Sequence, residues 1–295
     1  MEDNSMARRS FMKYSLAATA GSTMMAAAVP TANADTPKRK WYKALKIGML
    51  GKGPDAERFA LAKRCGWEGI DGSPMADLDA AKQQAELARK AGVPIHGIVA
   101  GGWHAPLSSA DPKIIEQGLN DMEIALRHAN TIDATTVLLV PAVVKEDVSY
   151  KQAWERSQKH VRELIPLAEE LEVVIAIENV WNKFLLSPLE FAEYIDQFDS
   201  PWVRAYCDVG NMIQFGYAQD WIRTLGSRII KLDLKDFSRK HNKFVNLGDG
   251  DVNWPEVRKA LIEIGFEGWM TSEVGGGNEA YLTDMVERID KLLLT

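Results

Sequence analysis

The chain has 295 residues, 46% of them hydrophobic, and a formal net charge of -6. Its length and apolar content suffice for one large domain or two small ones. The acidic balance argues against a nucleic-acid partner held by phosphate neutralisation, and no apolar run is unbroken enough to span a membrane.

Residues 6–35 read MARRSFMKYSLAATAGSTMMAAAVPTANAD. Paired arginines, a modestly apolar middle and a small-x-small end at Ala32-Asn33-Ala34 form a signal-peptide pattern. Arg8-Arg9-Ser10-Phe11-Met12-Lys13 resembles the twin-arginine export signal of bacteria, which implies a periplasmic or otherwise exported protein. Residues 1–34 are therefore read as the signal, 35–43 as a short linker and 44–295 as the folded domain. Cys65 falls in a helix pattern and Cys207 in a buried strand pattern, so both are expected as buried free thiols.

Beyond the linker, short apolar runs alternate with longer amphipathic segments. Strands are predicted over residues 45–50, 69–72, 95–100, 136–141, 173–178, 203–208, 229–235 and 269–273. Helices are predicted over residues 55–65, 77–91, 112–129, 150–171, 188–198, 219–225, 255–264 and 278–293. Ser187-Pro188-Leu189-Glu190 is a clear helix start, with a Ser cap, Pro at the first helical position and Glu three residues after the cap. Gly66, Gly92 and Gly265 close helices. A β-then-α order repeated eight times predicts an α/β fold, a single-domain (β/α)8 TIM barrel. A doubly wound sheet would want a Gly-rich phosphate loop after its first strand, and GKGPDAE is a poor match.

In such a barrel function sits at the C-terminal ends of the strands. The fifth to eighth strands close on Glu178, Asp208, Asp233 and Glu273. In the seventh, RIIKLDLKDFSR, Ile230, Leu232 and Leu234 share the parity expected to face the helices, and Lys231, Asp233 and Lys235 the parity expected to line the barrel. Four converging carboxylates repel one another in a low-dielectric interior unless a cation joins them. An all-oxygen set suits Mn²⁺ or Mg²⁺ better than Zn²⁺, so one divalent metal is expected on Glu178, Asp208, Asp233 and Glu273. The competing reading has two or three of these acids capping surface ladders or pairing with Lys231, Lys235 and Arg239.

The motifs AIENVWN, YCDVGN, KLDLKDFSR, LGDGDVNW and SEV, in that order and spacing, resemble the xylose-isomerase-like TIM barrels, the sugar isomerase and epimerase family that includes tagatose 3-epimerase. The resemblance covers essentially all of residues 44–295. It implies one divalent metal on Glu178, Asp208, the position of Asp233, and Glu273, with Glu178 and Glu273 doubling as the acid/base pair. Asp233 departs from the pattern, because the usual His-x-Lys-Asp is here Asp233-Leu234-Lys235-Asp236. Asn211 stands where the epimerases often place a substrate-binding His, and Phe184 where they often have a polar contact, while Arg239 matches a substrate-binding Arg. In the loop GGWHAPLSS, Trp103 is placed to stack on a sugar face and His104 to bind a hydroxyl, although rim packing suits Trp103 equally. With Lys235, these give the expected substrate-binding set Trp103, His104, Asn211, Lys235 and Arg239. His96 is read as a core residue.

The resemblance implies a divalent-metal-dependent isomerase or epimerase of a small sugar, working by proton abstraction α to a carbonyl through an enediolate. The alternatives are a lyase or hydratase that acts on a 3-keto-glycoside by the same abstraction, and a non-catalytic sugar-binding protein, motivated by Asp233 and Asn211. A DNA-repair endonuclease on the same barrel would need several more metal-binding histidines, and the chain has five His in all. The expected partner is a small sugar or glycoside, with no nucleic acid and no stable membrane insertion; a homo-oligomer stays open.

Overall fold

Eight parallel strands close into a barrel in the computed structural model, which describes residues 40–295. The expected export signal lies outside the described residues. Around the ring run β1 (Trp41–Lys46), β2 (Gly69–Gly72), β3 (Ile95–Gly101), β4 (Thr136–Leu139), β5 (Val174–Glu178), β6 (Val203–Asp208) and β7 (Ile229–Leu234). The last barrel strand, β10 (Gly268–Ser272), pairs with β7 on one side and β1 on the other. One helix follows each: α1 (Asp55–Arg64), α2 (Leu78–Ala91), α3 (Pro112–Thr131), α4 (Tyr150–Glu170), α5 (Pro188–Asp196), α6 (Ala218–Leu225), α7 (Trp254–Glu263) and α8 (Glu279–Ile289). A short antiparallel hairpin, β8 (Asp236–Ser238) and β9 (Lys243–Val245), leaves the end of β7.

Strands covered on both faces explain the near-continuous apolar runs. Val137, Leu139, Ile175, Ile177, Leu232 and Leu234 belong to the large core shared with the helices, whereas Leu138, Val140, Ala176, Val180 and Tyr206 form a small inner group. Side-chain caps fix the helix starts: Ser149 and Gln152 complete a capping box on α4, and Ser187 caps α5. Gly92 ends α2 at φ 77°, a left-handed turn suited to glycine. Among the described residues no helix is long and apolar enough to cross a membrane. Cys65 and Cys207 are buried free thiols.

Two details differ from the sequence reading. The first strand is not residues 45–50: it runs over Trp41–Lys46, so the barrel begins inside the stretch 35–43 read as a linker, and Ile47–Leu50 forms a 3-10 turn. The apolar run Ile47-Gly48-Met49-Leu50 misled, because β1 takes its register from Trp41 against Gly268 and Leu45 against Ser272. Ile230 packs with the inner group and not with the helix layer. The β6–β7 register shifts between Ala205 and Tyr206, and that irregularity turns Ile230 while leaving Leu232 and Leu234 outward.

Candidate metal-binding active site

Four adjacent strands deliver the acids. Glu178 ends β5, Asp208 ends β6, Asp233 lies one residue from the end of β7, and Glu273 follows β10, its N–H still donating to Leu234 O at 3.1 Å. One ligand oxygen from each lies within 4.8 Å of the others. Glu178, Asp208 and Asp233 are buried, and Glu273 is partly so.

The two aspartates are also held in orientation. Asp208 Oδ1 accepts N–H groups from Gly210 at 2.8 Å and Asn211 at 2.9 Å. Asn179, next after Glu178, clasps β5 to β6: its Oδ1 accepts from Asp208 N at 2.9 Å and its Nδ2 donates to Asp208 O at 3.0 Å. Asp233 Oδ1 accepts from the Tyr206 hydroxyl at 3.0 Å, and the same hydroxyl lies 2.6 Å from Asp71 Oδ2. Below the mouth, Asp71 is fixed by Lys231 at 2.5 Å and the Thr271 hydroxyl at 2.9 Å, and His96 lies 3.0 Å from Lys231 and stacks on Trp269. Gly97 is required there, because a Cβ would collide with Asp71 and Lys231. His96 thus belongs to the buried interior of the barrel.

The remaining oxygens form the site. Glu178 Oε1, Asp208 Oδ2, Asp233 Oδ2 and Glu273 Oε2 are buried without a hydrogen-bond partner. Two ammonium groups approach them as ion pairs: Lys235 is 2.8 Å from Asp208 Oδ2 and 2.6 Å from Glu273 Oε2, and Lys46 is 2.9 Å from Asp233 Oδ2. Burial pushes Glu178 well above the usual carboxylate range, and Asp233 adds to the rise. Burial also raises Asp208 and takes Asp233 up to about 8. Burial opposes ionisation of Glu273 too, but Lys46 and Lys235 outweigh it and hold that carboxyl below its ordinary value. Four hard oxygens converging with only two ammonium groups to balance them fit a divalent cation, since ligand distances of about 2.1 to 2.6 Å span such a cluster.

A profile of the family described as xylose isomerase-like TIM barrel covers residues 59–292. The chain belongs to this family. Among relatives of this xylose-isomerase-like chain, an L-ribulose-5-phosphate 3-epimerase of Escherichia coli O1:K1 is 23% identical over 243 residues, 77% of this chain and 86% of the relative. An uncharacterised protein of Methanocaldococcus jannaschii is 23% identical over 183 residues, and the match spans 58% of this chain but only 62% of that relative. The crystal structure of a 3-keto-D-glucoside 4-epimerase from E. coli shares the fold, with a TM-score of 0.73 at 14% identity over 86% of this chain and 100% of that one.

Other residues singled out in the sequence of this family member are placed less uniformly. Lys235 lies among the acids. The Asn211 side chain is buried and donates to Asn179 O at 3.0 Å, closing the same clasp. Arg239 directs its guanidinium to the carbonyls of Ile213 at 3.1 Å and Gly216 at 2.7 Å, over the Tyr217 ring. His104 Nε2 lies 2.8 Å from Asp121 on α3, and Trp103 is half exposed on the β3–α3 loop. Phe184 is fully buried among Tyr150, Trp154 and Tyr194, so packing occupies that position.

Two features escaped the sequence reading. Lys46 was hidden by the misplaced first strand, since a strand over residues 45–50 puts it far from the mouth. The second is an aromatic wall: Trp181 stacks on Phe244 with centroids 4.9 Å apart, and Lys235 lies 5.4 Å from the Phe244 centroid. Trp181 stands inside the AIENVWN motif, three residues after Glu178, which was the available signal.

Proposed function

We propose that the protein is a divalent-metal-dependent epimerase or isomerase of a sugar, acting by removal of a proton α to a carbonyl. The observation that carries this reading is the convergence of four carboxylates, each presenting a buried oxygen to the others, at the C-terminal mouth of the barrel. Glu178, Asp208, Asp233 and Glu273 would hold Mn²⁺ or Mg²⁺. When bound, such an ion supplies positive charge to the oxygens of an α-hydroxy ketone and so lowers the cost of the charge that develops as the proton leaves. Glu178 and Glu273 come from the ends of strands separated by two others, an arrangement that would let them flank a carbon held over the mouth. One takes the proton and the other returns one from the opposite side, inverting the centre. Lys235 balances charge on Asp208 and Glu273, and the exposed faces of Trp181 and Phe244 offer apolar surface to the C–H face of a sugar.

That aromatic wall favours one variation. A substrate with an aglycone, such as a 3-keto-glycoside, would extend over it, and the same abstraction would then expel the aglycone. Incubation with ketoses and 3-keto-glycosides in D₂O separates the outcomes. Carbon-bound deuterium in an intact sugar indicates epimerisation or isomerisation, and release of the aglycone indicates elimination. Binding without exchange or cleavage would favour a sugar-binding protein. We further propose export through the Arg8-Arg9 signal; fractionation of cells expressing the full chain should find it outside the cytoplasm, and Arg8→Lys with Arg9→Lys should retain it inside.

A further inference from the structure

We propose that Lys46 is a built-in counter-cation of the four-carboxylate site, paired with Asp233 so that the site carries the charge a divalent ion neutralises. The inference rests on the metal reading given above. Lys46 is the last residue of β1, and its side chain is 12% exposed. Its ammonium nitrogen lies 2.9 Å from Asp233 Oδ2 and 4.8 Å from the centre of the Tyr206 ring. Apart from that ion pair and ring contact it has no hydrogen-bond partner, an unusual state for a buried group with three donors. Burial opposes its charge, but the neighbouring Asp233, Asp71, Glu273 and Glu178 outweigh that and favour the charged form. The group is held by charge, not by a hydrogen-bonding cradle.

Counting ionised side chains gives the reason. With all four acids ionised, as holding a divalent ion requires, Glu178, Asp208, Asp233 and Glu273 contribute four negative charges, and Lys46 and Lys235 two positive ones. Asp71 and Lys231 cancel each other one layer below. In that ionised state the mouth carries two net negative charges, the complement of a divalent cation. Removing Lys46 alone leaves three, removing the charge of Asp233 alone leaves one, and removing both restores two. Lys46 is accordingly a positioning residue that acts on substrate and metal through Asp233, and residues 46 and 233 function as a pair.

The test compares the full protein with Lys46→Met, Lys46→Arg, Asp233→Asn and the Lys46→Met/Asp233→Asn double variant, by thermal melting in chelator and by Mn²⁺ titration. In chelator, Lys46→Met should lower Tm by about 5–15 °C, as expected when one partner of a buried ion pair is removed. The double variant should recover at least half of that loss, and Lys46→Arg most of it. Lys46→Met should bind Mn²⁺ at least tenfold more tightly, Asp233→Asn at least tenfold more weakly, and the double variant within about threefold of the parent, following the charge at short range. Equal loss of Tm in the single and double variants, or no loss in either, would overturn the pairing, as would weaker Mn²⁺ binding by Lys46→Met. If the parent takes up no Mn²⁺, the metal reading fails, and the melting data in chelator still decide whether residues 46 and 233 are a charge pair. If Lys46→Met does not fold, folding of the double variant supports the pair and its failure to fold contradicts it.

Discussion

The two oxygens of Asp208 have separate tasks: Oδ1 accepts two backbone N–H groups that form the turn after β6, and Oδ2 faces the other acids. Asparagine can keep the first task and loses the charge needed for the second. Asp208→Asn should therefore weaken Mn²⁺ binding by at least 100-fold with Tm within a few degrees of the parent. Asp208→Ala should lose both, at a cost of about 2–4 kcal/mol for orphaned buried N–H groups; calorimetric titration and thermal melts read the two effects. The acids were legible in the sequence because each closes a strand, where parity and position agree. Lys46 was not, because its place depends on a strand boundary that Ile47-Gly48-Met49-Leu50 disguised. Asn211 and Arg239 show the converse: motif position placed them near the mouth, but only tertiary structure shows that their donors already serve backbone carbonyls.

At the level of elements, the β8–β9 hairpin and the loop LGDGDVNW are organised around the buried carboxylate of Asp236. Oδ1 accepts from the N–H groups of Phe237 at 2.9 Å and Val252 at 3.1 Å, and Oδ2 from Gly248 N and the Trp254 indole, each at 2.9 Å. Gly250 is a glycine because a Cβ would strike that carboxylate. The motif is thus a loop built on one anion, and it carries Phe244 to its place beside Lys235. Asp236→Ala should cost roughly 3–5 kcal/mol, the scale of a buried charged acceptor with several donors. It should also admit limited proteolysis between residues 239 and 250, readable by mass spectrometry, whereas cleavage elsewhere first would argue against this role. The sequence exposed the motif but not its centre, because four donors spread from Phe237 to Trp254 meet only after folding.

For the molecule as a whole, the order of eight βα units was legible from apolar periodicity alone, since helices and doubly covered strands differ so clearly in length and pattern. The charge balance within the barrel was not, because it depends on which face each charged residue takes. It has a consequence for pH. Burial places Glu178 and Asp208 above their ordinary pKa values and Asp233 at about 8. Acids raised on folding bind more protons in the folded state, so their contribution to stability is greatest below about pH 4 and falls as pH rises toward the folded value. Asp71, lowered by Lys231 against the penalty of burial, acts in the opposite sense but only as pH falls through the acid range. In chelator, Tm should therefore decline between pH 5 and pH 8, and saturating Mn²⁺ should remove most of the decline. A Tm that rises across that window in chelator would show that the acids are not held together as described.

The most direct measurement is a Mn²⁺ titration of the purified protein beside Glu178→Ala and Asp233→Ala, each stripped with chelator and then dialysed free of it. Binding of about one Mn²⁺ per chain, lost or weakened at least 100-fold in both variants while they remain folded, is the expected result. Absence of binding by the parent under any loading condition, or undiminished binding by both variants, would contradict a divalent metal held by Glu178, Asp208, Asp233 and Glu273.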